Sequence, residues 1–139
     1  MSIMRHVSIV IAAIVVWVLG AAWYTALAEP WMAGIGKTRE QLMQQAGSPA
    51  MSYVVGFVAI LVMCYLVAAL LARLSATSFG SGARIGALAG LLPAACIALN
   101  YAFEMRPPSL WLINAGYVVV GLAIAGATIG GSTRKTVVA

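Results

Sequence analysis

The chain has 139 residues, 63% of them hydrophobic and 8% charged, with a mean hydropathy of +1.02. Soluble domains carry about 25% charged residues, so a water-soluble globular domain is excluded and residues 1–139 read as one membrane domain. The net charge of +5 comes from Lys and Arg scattered at the ends of apolar runs rather than gathered on one face, which argues against nucleic-acid binding.

The first apolar run covers 7–27 and carries no charge, about the 20 residues that a spanning helix needs. Its basic start and the A-x-A shape of Ala26-Leu27-Ala28 imitate a cleaved signal peptide. The run is longer than the roughly 7–15 residues of a signal core, so the span is expected to be retained. Residues 28–50 form the one sizeable segment outside the bilayer. Within it, Thr38-Arg39-Glu40-Gln41 has capping-box spacing, and Gly47 and Pro49 supply a stop, which predicts a short surface helix over 39–46. Trp31 and Met32 would anchor at the interface before it. This segment reads as a connector, with a lid over a pocket as the sharper alternative.

A second run, 51–72, is followed by a polar, glycine-rich turn at 75–82. The third run, 85–103, opens on Gly82, Gly86, Gly90 and then Ala94 at four-residue spacing. Gly126 and Gly130 repeat the pattern in the fourth run, 110–129. Such rows let helix backbones approach closely, within or between subunits, where lipid gives helices no hydrophobic reason to associate. Pro93 inside the third run predicts a kink, because its ring crowds the Ala89 carbonyl and leaves it without a donor. The turn at 104–109, with Pro107-Pro108, makes the third and fourth runs an antiparallel hairpin. The tail, 130–139, is expected to be loose.

The expected fold is therefore all-α, with four transmembrane helices. Arg5, Arg73, Arg84, Arg134 and Lys135 fall on the side of the termini, whereas Lys37, Arg39 and Arg106 fall on the other. The positive-inside rule then places both termini in the cytoplasm and the chain in the inner (plasma) membrane. The lipid bilayer is its first partner. A homo-oligomer is expected too, because four short helices enclose little interior and the glycine rows offer flat surfaces.

Soluble-type catalytic sets are missing. His6 is the one histidine and lies opposite the acids, which removes His triads and His-cluster metal sites. No cofactor motif is present. Cys64 and Cys96 lie at depths differing by roughly 9 Å, more than the ~7 Å between Cα atoms that a disulfide tolerates.

The most suggestive chemistry gathers near the third turn. Asn100 and Glu104 share a helix face, as do Trp111, Asn114, Tyr117 and Gly121 on the fourth span. Asn100 and Asn114 both lie about 6–8 Å deep, and Trp23, Tyr24 and Thr25 reach a similar height. Two outcomes compete. In one, an Asn100–Asn114 bond locks the hairpin, with Glu104 and Arg106 paired at the rim. In the other, these groups line an outward-facing polar pocket walled by aromatics, which would bind a small solute, an ion or a headgroup.

The run Asn100-Tyr101-Ala102-Phe103-Glu104-Met105-Arg106-Pro107, followed by Leu110-Trp111-Leu112-Ile113-Asn114-Ala115-Gly116-Tyr117, resembles the signature of the membrane family catalogued as domain of unknown function 1761. Gly20-Ala21-Ala22-Trp23-Tyr24-Thr25 is similar to that family's opening motif, whereas Ala28-Glu29-Pro30-Trp31 departs from its usual residues. The resemblance covers essentially the whole chain and implies four spans without assigning an activity. Three functional readings follow: binding or passage of a small solute or ion at the polar site, a scaffolding or accessory membrane protein, and a small lipid-modifying enzyme using Tyr117 or Arg106.

Overall fold

The computed structural model describes residues 3–45 and 47–137. Within them lie six helices and no strand: α1 (Ile3–Ala26), α2 (Ala28–Ile35), α3 (Arg39–Gln45), α4 (Pro49–Arg73), α5 (Phe79–Phe103) and α6 (Pro108–Val137). Four of these, α1, α4, α5 and α6, are long and apolar enough to cross a membrane, which makes this a membrane protein. Their alternation places the α5–α6 turn at one end of the molecule, the hairpin end, and both described chain ends at the other.

Local chemistry sets the helix limits. Pro30 has no N–H to offer the Ala26 carbonyl, so α1 stops there and the chain bends at Leu27 (φ −106°, ψ 21°) before turning helical again. Gly36 closes α2 in the left-handed region at φ +69°. Its N–H donates to the Ala33 carbonyl and that of Lys37 to the Met32 carbonyl, a Schellman closure. Only one short helix is expected within 28–50; α2 is a second, and it takes in Trp31 and Met32, expected as anchors ahead of the first. The expected capping box is present: the Thr38 N–H donates to Gln41 Oε1 (2.9 Å) and the Gln41 N–H to Thr38 Oγ1 (3.3 Å). It starts α3, which ends at Gln45 where 39–46 is expected; Ala46 lies outside the described residues.

A second box, Ser78 with Ser81, starts α5 six residues before the expected span. That helix runs through Pro93 without interruption. The third turn is shorter than expected, because Pro108 at the first helical position of α6 is preset for helix. Helix α6 also continues to Val137, so the tail is helical rather than loose, and 138–139 lie outside the described residues.

Helix α6 is the axis of the molecule. The glycine row joins it to α5 within this one chain: a Cβ at Gly82 would strike the Gly126 carbonyl, one at Gly86 the Leu122 carbonyl, and one at Gly90 would come to 2.8 Å from Val119 Cα. Gly126 and Gly130 answer from the other side, a Cβ on Gly130 lying 2.6 Å from the Ser78 carbonyl oxygen. The oligomer expectation loses these surfaces, which are already occupied. The opposite flank of α6 meets α1 and α4 in an apolar core built from Ile9, Ala12, Ala13 and Val16, from Ile60, Cys64, Val67 and Leu71, and from Leu122, Ala125 and Ile129. Helix α5 packs chiefly on α6 and only briefly on α4. The arrangement is a three-helix core with α5 strapped to its axis, rather than a square bundle.

Candidate functional site

Polar side chains in apolar helices must find partners inside the protein, and at the hairpin end they find them across three helices. Asn114 on α6 sits between two phenols. Its Oδ1 accepts from the Tyr24 hydroxyl on α1 (2.8 Å), and its Nδ2 donates to the Tyr101 oxygen on α5 (2.7 Å). Three further aromatics donate to main-chain carbonyls of a neighbouring helix: Trp23 to Ile113 (3.0 Å), Tyr117 to Val16 (3.0 Å) and Trp111 to Ala94 (2.9 Å). The rings pack mostly edge to face, Tyr24 lying 5.4 Å from Tyr117 and 6.0 Å from Trp31 between centroids. Gly20 makes room for Tyr117 and Gly116 for Trp23: a Cβ at either would lie 2.7 Å from the Tyr117 oxygen or 3.2 Å from the Trp23 ring.

Helix α2 covers this cluster. Gly34 lets it settle on Leu110, whose Cβ would be 2.9 Å from a Cβ at that position, and Trp31 reaches down to Tyr24. Arg106 holds the end of α2. Its Nη1 donates to the Ile35 carbonyl (3.2 Å), placing positive charge on the helix C-terminus, while its Nε meets Glu104 Oε2 at 3.3 Å. The Glu104–Arg106 pair expected at the rim is therefore present, exposed to solvent on both sides. Any covering element is α2, not α3.

Seven of the eight residues singled out for ligand binding are tied into this end of the molecule: Trp23, Tyr24, Glu104, Arg106, Trp111, Asn114 and Tyr117. The eighth, Asn100, is not. Its side chain is exposed on the flank of α5, about 100° round the helix from Tyr101, and has no hydrogen-bond partner among the described residues, so the expected Asn100–Asn114 bond is absent. Helical geometry explains the correction. The face of α5 that meets α6 runs Gly82, Gly86, Gly90, Ala94, and two more turns at steps of three to four residues lead to Tyr101. Following the polar residues alone passes over Tyr101, although the glycine row points to it.

Elsewhere, Arg5 Nη2 donates to the Ala68 carbonyl (3.2 Å) and His6 Nδ1 pairs with the Tyr65 hydroxyl (2.9 Å), tying α1 to α4 near the chain ends. A groove of about 370 Å³ between α1 and α4, lined by Trp17, Tyr53, Phe57 and aliphatic neighbours, exposes no polar surface to orient a ligand. Both cysteines are free thiols, Cys64 buried and Cys96 exposed. Among the described residues no three His, Cys, Asp or Glu side chains gather closely enough to hold a metal ion.

No curated protein and no solved structure matches the chain. Residues 7–130, which take in α4 and α5, most of α1 and α6 and the whole Trp23–Tyr117 cluster, match the model of the family described as Protein of unknown function (DUF1761). With the match covering most of its length, the chain belongs to that family.

Proposed function

We propose that the hairpin end faces outward and binds a small polar molecule or lipid headgroup through an acceptor group such as a phosphate or carboxylate, with α2 as its cover. One observation carries this reading. An amide between two phenols accepts from one and donates to the other whichever way it is turned, so one phenolic hydrogen remains without an acceptor. As placed, it belongs to Tyr101, whose hydroxyl finds no acceptor among the described residues. The outward direction is supported by the five basic residues at the other end, against three here. Binding is favoured over passage because the apolar core of α1, α4 and α6 fills the rest of the interior and offers no polar path onward.

The test uses the full chain in lipid nanodiscs, with tryptophan fluorescence reporting on Trp23, Trp31 and Trp111. The probes are inorganic phosphate, acetate, glycerol phosphate and phosphocholine. At least one should give a saturable change, weakened about tenfold by Tyr101→Phe, the worth of one hydrogen bond at about 1.4 kcal/mol. No saturable response to any probe, or equal affinity in the variant, would refute the reading.

A further inference from the structure

The exposed side of α5 carries Leu88, Leu92, Cys96, Leu99 and Phe103, with Asn100 at its edge, one turn from Cys96. Five of these suit hydrocarbon; Asn100 does not. Its depth follows from the charges that bracket the helix. Arg84 and Glu104 are twenty residues apart, about 30 Å at 1.5 Å per residue, which equals the thickness of the hydrocarbon layer. Asn100, four residues before Glu104, then lies about 6 Å inside that layer. A primary amide brings two donors and two acceptor lone pairs, and among the described residues nothing bonds the Asn100 side chain.

We propose that this face of α5 is a self-association surface, on which the Asn100 amide of one copy hydrogen-bonds the Asn100 amide of a second copy of this chain. Three features select a second copy. An amide is self-complementary, donating and accepting at once. A two-fold axis along the membrane normal brings identical residues together at identical depth, so neither copy needs another polar group. Cys96, one turn deeper on the same face, is small enough for the helices to approach, and α5 stands clear of α1 and largely of α4. The interface is separate from the phenol–amide chain, since the Tyr101 hydroxyl meets Asn114 on α6 whereas Asn100 is exposed about 100° further round α5.

The experiment uses the full chain in vesicles of phosphatidylcholine and phosphatidylglycerol. Copper–phenanthroline with oxygen, an oxidant that enters hydrocarbon, should join two copies through a Cys96–Cys96 disulfide, while buried Cys64 stays silent. Cys96→Ser should abolish the product. Asn100→Leu should reduce it, and should raise the protein-to-lipid ratio for half-association, read by energy transfer between labelled copies, by roughly 3- to 17-fold, the range for interhelical hydrogen bonds in membranes. Tyr101→Phe should leave both readouts unchanged. Thermal unfolding of Asn100→Leu, whose replaced side chain makes no hydrogen bond among the described residues, checks that the variant is folded. Single copies at every ratio, the result if interfacial water satisfies the amide, would overturn the proposal. A dimer indifferent to Asn100→Leu and not joined through Cys96 would overturn it as well.

Discussion

Asn114 accepts from one helix and donates to another, so its replacement removes two ties and strands two phenols. Interhelical bonds of this kind average about 0.6 kcal/mol and reach about 1.7. Asn114→Leu should therefore lower stability by about 1–3 kcal/mol, measured by denaturation in mixed micelles. A double-mutant cycle with Tyr24→Phe should return a coupling near 0.6–1.7 kcal/mol, and zero coupling would show that the bond contributes nothing. Met105 sits in the opposite situation. It is 90% exposed, yet holds the left-handed conformation at φ 52° that ends α5. A side chain there costs about 1 kcal/mol, so Met105→Gly should raise the melting temperature rather than lower it. At this scale the sequence singles out Asn114, Tyr117, Trp23 and Tyr24, which the structure gathers into one cluster, because polar and aromatic groups in an apolar run have few places to go. It misleads at Asn100, where helical phase outweighs polarity.

Among the elements, the α5–α6 pair depends most on the absence of side chains. Gly86→Leu would drive a branched group into the Leu122 carbonyl. Since backbone cannot yield as a flexible side chain does, α5 should separate from α6 and the protein should lose its cooperative unfolding transition. At Gly56 on α4, a Cβ would meet nothing within 4 Å, so Gly56→Ala should be neutral or stabilising by up to about 1 kcal/mol. The two variants in the same micelle assay separate packing from helix propensity. Helix α2 answers to a different change. Arg106→Ala should leave overall stability within about 1 kcal/mol, because the Glu104 pair is exposed, but should speed amide hydrogen exchange across 28–36 severalfold. The hairpin and the α3 capping box are legible from spacing alone. Helix α2 is not, although its brackets are in view: Pro30 in its first turn and Gly36 just past its end. Eight residues are too few for periodicity to show.

For the molecule as a whole, charge decides orientation and packing decides shape. Tags at the two ends of the chain should be found on one side of the membrane and a tag after Lys37 on the other, read by protease protection in sealed vesicles. A split between the two termini would contradict four crossings. Four spans are plain from composition, because uncharged runs of this length have no other stable solution. Their unequal standing is hidden. Which helix is central depends on which apolar faces fit one another, and with apolar residues all round, the helices show little preferred side. The four-residue glycine rows break that symmetry, and they do so for α5 and α6 alone.

The main-chain carbonyls that receive Trp23, Trp111, Tyr117 and Arg5 have a consequence for how this architecture drifts. Every residue type brings such an oxygen, so Ile113, Ala94, Val16 and Ala68 can be exchanged without touching the tie itself. Across related chains, those contacts should leave no trace of paired substitution. The trio Tyr24, Asn114 and Tyr101, in which both sides of each bond are side chains, should change together or not at all.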